Sequence, residues 1–241
     1  MDTGELSMTH SMTEAGRSDK QRASDFALAS VLSSYPDEAF EEVLADVKDG
    51  LATHPGARGV VEFLDGSHKL DDLRSTYVDL FDRGGDRASL YETEYGRMAG
   101  MGKGNDLADI AGFYQAFGLT VDAENVHEVV DHVSAELEFY AMLLLKQAYL
   151  DEHGDSDGSA IVEDARKKFL SDHLGRFVSA IARRESVKNN AVYGAVFEWA
   201  SGIVTEECSR LGVTPPPLDF FSDEEAKGEM KCGSVHLPIV Q

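Results

Sequence analysis

Residues 125–150 read NVHEVVDHVSAELEFYAMLLLKQAYL, and this stretch decides the fold. Val126, Val130, Val133, Leu137, Tyr140, Leu144 and Ala148 recur at i, i+3/i+4 spacing. That period predicts one amphipathic helix from Val126 to Leu150, roughly seven turns long. A second row, Val129, His132, Glu136, Phe139 and Leu143, lies beside the first and widens the apolar face. A face this wide belongs to a central helix packed on several sides. His132 and Glu136 interrupt the second row four residues apart, where helical side chains can meet. Asp131 falls on the other side of the wheel, with Ala135, Glu138 and Met142. The ionisable pair admits three readings: a satisfied structural ion pair, half of a metal site completed from a facing helix, or the polar lining of a peptide groove.

Outward from this helix, the same period recurs. Before it, Leu107, Ile110, Ala111, Tyr114 and Phe117 predict a helix over about 106–117, with Gly118 as its C′ residue. Residues 84–104, GGDRASLYETEYGRMAGMGKG, have no helical period and are long for a connection in a compact domain. They concentrate Tyr91, Glu92, Glu94 and Tyr95. Earlier helices are predicted from Ser18 to Ser34, from Pro36 (at N1) to Gly50, over 60–64, and from Lys69 to Arg83. After the central stretch come a polar linker at 152–159, helices near 160–170 and 171–184, and a last helix over 190–211 closed by Gly212 and Pro215-Pro216-Pro217. The expectation is an all-α, single-domain helical bundle of about 8–10 helices. It occupies residues 18–212, after a disordered segment 1–17 and before a C-terminal tail 213–241.

Composition excludes several functions. Of 241 residues, 42% are hydrophobic, enough for a sizeable core. Twenty-two basic residues face 44 acidic ones, a net charge of −22, which argues against nucleic acid and anionic membranes as partners. The excess solvates the surface, suits a salt-rich cytoplasm, or steers a basic partner. Cys208 and Cys232 make no disulfide framework. The N-terminus lacks the pattern of a signal peptide, and no apolar run approaches the ~20 residues of a membrane span, so a cytoplasmic protein is expected. There is no Walker A loop or dinucleotide fingerprint. Cys232 and His236 in the tail supply two ligands, which do not make a metal site.

Five short motifs, in order, carry a family resemblance. They are Tyr77-Val-Asp-Leu-Phe81, Tyr91-Glu-Thr-Glu-Tyr-Gly96, Leu107 to Leu119 (LADIAGFYQAFGL), Asp131-His132 with Glu136-Leu-Glu-Phe139, and Phe169-Leu170 with His173-Leu174 and Phe177. Together they resemble the TorD/DmsD/NarJ superfamily of molybdoenzyme maturation chaperones, nearest the branch serving type II enzymes of the DMSO-reductase family. Val130 and Leu90 stand where many members carry proline. The resemblance implies a non-catalytic protein, without cofactor or metal ion. It would bind the twin-arginine leader or N-terminal segment of an apo molybdopterin oxidoreductase catalytic subunit, delay export and assist cofactor insertion. Molybdenum-cofactor biosynthesis proteins are further implied partners, and the state is monomer or homodimer. The client-binding residues on this reading are Tyr91, Glu92, Glu94, Tyr95, Asp131, His132, Glu136 and Phe139. Glu92 and Glu94 would pair with arginines, and Asp131 and His132 would polarise the groove. The residues alone leave open a helical-bundle metalloprotein, perhaps an enzyme, centred on His132 and Glu136.

Overall fold

A computed structural model describes residues 17–51, 54–66, 68–83, 87–96, 103–119 and 130–218. These residues form helices and no β-strand. In chain order they are α1 (Asp19–Ser33), α2 (Glu38–Leu51), α3 (Pro55–Asp65), α4 (Leu70–Tyr77), α5 (Lys103–Ala116), α6 (Val133–Glu152), α7 (Ser156–Phe169), α8 (Gly175–Ala182), α9 (Glu185–Lys188) and α10 (Tyr193–Leu211). Single π turns continue α4 over Val78–Asp82 and join α7 to α8 over Leu170–Leu174. None of the described helices is long and apolar enough to cross a membrane.

Helix α6 is the middle of the bundle. Val133, Leu137, Tyr140 and Leu144 of one row and Phe139 and Leu143 of the other are buried. Helix α1 lies along α6, with Phe26 against Tyr140 at a ring separation of 4.6 Å and Ser30 Oγ donating to Ser134 O at 2.9 Å. Helix α10 covers α3 and α8. Its close approach to α3 needs Gly56, because a Cβ there would run into the Trp199 ring. Where these helices meet, Glu207 of α10 is buried between Arg22 of α1 and Arg166 of α7, with the Tyr140 hydroxyl donating to it at 3.0 Å. A buried carboxylate is tolerable because it is paired on more than one side.

Local chemistry sets the helix ends. Ser18 and Gln21 form a reciprocal capping box at α1. Asp37 accepts from the Phe40 amide, so α2 begins after it and Pro36 lies outside, not at N1. Pro55 is at N1 of α3, which is longer than the expected 60–64 helix. Asp155 caps α7 through the Gly158 amide, so the expected linker at 152–159 is mostly helix. Gly212 closes α10 at φ 68°.

The main correction concerns the start of the central helix. It begins at Val133, not Val126. His132 is its N-cap, at φ −73° and ψ 137°, with Nδ1 accepting from the Ser134 amide. His132 and Glu136 therefore do not share a helical face as the spacing predicted. Residues 125–129 lie outside the described residues, as do most of segment 1–17 and the tail beyond Leu218, with Cys232 and His236.

Candidate functional site

Two segments far apart in sequence build the site. The chain before α6 runs antiparallel to residues 90–92, with Tyr91 bridging His132. The Val133 amide donates to Leu90 O at 2.9 Å, and the Glu92 amide donates to Asp131 O at 3.0 Å. Asp131 completes the join: its Oδ2 accepts from the Thr93 amide at 3.1 Å and the Thr93 hydroxyl at 2.6 Å. The Tyr91 ring meets His132 edge-on at 5.1 Å. Helix α5 adds Tyr114, whose hydroxyl donates to Val130 O at 2.9 Å and whose ring packs on Phe139.

These contacts define what each predicted residue does. Tyr95 is buried, packs on Phe177 and donates to Ser89 O at 2.7 Å. Phe139 is buried among Tyr114, Phe117 and Phe169. Glu92 is buried and lies 2.9 Å from His173 Nδ1, while the other nitrogen of His173 lies 3.2 Å from the exposed Asp109. Burial opposes a charge on His173, but the hydrogen bond and charge of Glu92, then Asp109, outweigh it and raise its pKa. Glu94 is half-buried and pairs with Arg87 at 3.0 Å. Tyr91 is half-buried. The structure thus brings Tyr91, Glu92, Asp131 and His132 together, and it leaves Glu94 at the outer edge.

Beneath this join lies an unsatisfied acidic cluster. Asp131 and Glu136 are both completely buried. Among the described residues, Asp131 Oδ1 and both Glu136 oxygens have no hydrogen-bond partner. The Glu136 oxygens lack a donor while Glu136 and Glu92 are both ionised; once protonated, Glu136 shares a side-chain hydrogen bond with Glu92, which lies near enough to oppose its charge. Burial first, then the charges of Glu92 and Asp131, push the Glu136 pKa well above the ordinary carboxylate value. Beside the cluster the Ser134 hydroxyl lies 2.7 Å from His132 Nδ1, a bond that fixes the ring at the helix start. Among the described residues, no group of three His, Cys, Asp or Glu is arranged to hold a metal ion. Thr93 and Asp109 are the participants that sequence reasoning missed. A threonine flanked by two glutamates and an aspartate on an amphipathic helix carry no signal of a contact made across the fold.

A family model described as the nitrate reductase delta subunit matches residues 35–183, which include both halves of the join. The chain belongs to this family. Two curated proteins are similar to it. The selenate reductase assembly chaperone protein of Thauera selenatis is 29% identical over 153 residues, covering 61% of this chain and 75% of the relative. The perchlorate reductase assembly chaperone protein of Dechloromonas aromatica is 38% identical over 68 residues, covering 28% of this chain and 29% of the relative. A solved Archaeoglobus fulgidus structure, assigned as a redox enzyme maturation protein, superposes with a TM-score of 0.48 at 18% identity, over 81% of this chain and 99% of that one. Both curated relatives carry the name of an assembly chaperone for a reductase.

Proposed function

We propose that the chain binds the leader or N-terminal segment of an apo molybdopterin oxidoreductase catalytic subunit at the join of residues 90–94 with Asp131 and His132. On this reading it acts in the cytoplasm, before export, and keeps the subunit open for cofactor insertion. The observation that carries the proposal is the buried acidic cluster itself: among the described residues, Asp131 Oδ1 and the ionised Glu136 carboxylate have no donor. Buried acceptors without donors are costly, and an arginine fork is the side chain best able to satisfy two carboxyl groups at once. Tyr91 and Glu94, which keep some exposure, are the first contacts, and the buried acids follow when the turn at 90–94 opens. The net charge of −22 steers a basic leader toward the protein. A twin-arginine leader peptide and its scrambled counterpart, titrated into the purified chain, test the proposal. The expected result is saturable binding of the leader in clear preference to the scrambled peptide. Equal binding of the two rejects it.

A further inference from the structure

A second site candidate lies between α8, α10 and the segment that follows α10. Eight of the described arginines sit beside a carboxylate, as an acidic chain would lead one to expect. Arg176 and Arg183 do not. Among the described residues, Arg176 donates to Asp172 O at 3.4 Å and Arg183 to Leu218 O at 2.9 Å, both main-chain oxygens. The Arg176 Nε is buried and has no partner among the described residues. Both arginines line one cavity of about 340 Å³, with Ser179 of α8, Thr205 and Ser209 of α10, and Pro215 of the segment after α10.

The cavity follows from local structure. Arg176, Ser179 and Arg183 are spaced three and four residues apart, so they share one face of α8. Two turns, roughly 10 Å, separate the arginines along the helix, a span their long side chains can close from both ends. Pro215 seats the wall, because Gly175 has no side chain: a Cβ there would lie 2.7 Å from Pro215 Cγ. The hydroxyls of Ser179, Thr205 and Ser209 now donate to helix carbonyls at 3.3, 2.7 and 2.9 Å. A hydroxyl proton can rotate toward a better acceptor.

We propose that this cavity binds a small phosphorylated ligand, with the Arg176 and Arg183 guanidiniums on the phosphate oxygens. Three features favour phosphate. Guanidinium forks match its oxygens. The hydroxyls supply the remaining donors. The volume falls in the range of roughly 300–1,000 Å³ typical of small-molecule sites and is too small for a folded partner. The net charge of −22 disfavours anions over the molecule as a whole, so two arginines that have no carboxylate partner among the described residues are a local exception.

Calorimetric titration of inorganic pyrophosphate into the full chain at low salt tests this. The comparison is with Arg176→Gln/Arg183→Gln and with Arg58→Gln, an exposed arginine paired to Glu62 outside the cavity. Saturable binding by wild type and Arg58→Gln, weakened about tenfold or more in the double variant, is the expected result. Equal binding by the double variant, or none by wild type at millimolar pyrophosphate, overturns the proposal. A Glu-rich peptide that binds through the same arginines more tightly than pyrophosphate also overturns it, by assigning the cavity to protein carboxylates. If the double variant does not fold, Arg176→Lys replaces it, since lysine keeps the charge and loses the fork. A several-fold loss then supports the proposal, and unchanged affinity refutes it.

Discussion

Asp131 holds Thr93 through one oxygen, at 2.6 Å from its hydroxyl and 3.1 Å from its amide, while the other oxygen has no partner among the described residues. One carboxylate therefore fastens the turn at 90–94 and still offers an acceptor to an incoming donor. Thr93→Val keeps the shape and deletes the hydroxyl bond. The expected cost is about 1–3 kcal/mol in urea denaturation, since the buried Asp131 loses a donor. A neutral result means that the turn is held by its main-chain bonds alone.

Glu136 makes stability depend on pH. Its folded-state pKa lies above the unfolded value because burial, Glu92 and Asp131 all oppose its charge. A group with a raised folded pKa contributes stability below the unfolded pKa, and that contribution is lost as pH rises toward the folded value. Glu136→Gln resembles the protonated form. It is expected to melt higher than wild type at neutral pH, with the difference shrinking as pH falls toward about 4.3. A difference that stays constant with pH contradicts this assignment.

Glu92 behaves differently from an exposed recognition residue. It is buried against His173, whose pKa it raises. The contribution of His173 is full below the unfolded histidine value of about 6.5 and is lost as pH rises through its folded pKa. Glu92→Gln should therefore destabilise most at mildly acidic pH, whereas Glu94→Gln should leave stability unchanged. Thermal melts of both variants across that range decide it.

Glu207 joins α1, α7 and α10. Glu207→Leu would strand Arg22 and Arg166, both nearly buried, and should cost roughly 3–5 kcal/mol. Replacing Glu207, Arg22 and Arg166 together by apolar residues should recover much of that loss. Denaturant midpoints of the single and triple variants check both statements.

Core substitutions separate the two kinds of large residue. Leu137 and Leu144 are completely buried, and truncating either to Ala should cost about 2–5 kcal/mol. Trp199 is only half-buried, so Trp199→Ala should cost less than its size suggested from sequence. Its tightest constraint is at Gly56: Gly56→Ala should destabilise by about 1–3 kcal/mol, and Trp199→Leu in the same chain should relieve part of it.

Much of this architecture was readable in the residues. The rows Val133, Leu137, Tyr140, Leu144 and Phe139, Leu143 are buried as their spacing predicted, because a helix packed on two sides repeats its period on two sides. The start of that helix was not readable. Val126 and Val130 continue the period, yet at His132 the chain turns to pair with Leu90 and Glu92, a non-local contact that no local pattern encodes. Residues 152–159 read as a linker because a helix start is itself polar: Asp155 as cap and Gly158 as donor look like loop residues until they are seen to act together. The site was legible in part. The resemblance picked out Tyr91, Glu92, Asp131 and His132, which do meet. It assigned no role to Thr93, and it did not show the burial that raises the Glu136 pKa.

The central claim is that buried carboxyl groups beneath the turn at 90–94 receive a leader arginine. The most direct measurement is calorimetric titration of a twin-arginine leader and of the same peptide with both arginines replaced by glutamine, into wild type and Glu136→Gln at low salt. Wild type should prefer the arginine peptide by at least about tenfold, as expected for charge-assisted bonds in a desolvated site. In Glu136→Gln that preference should largely vanish while the protein stays folded. Equal affinity of wild type for the two peptides, or a preference untouched by Glu136→Gln, would contradict the claim.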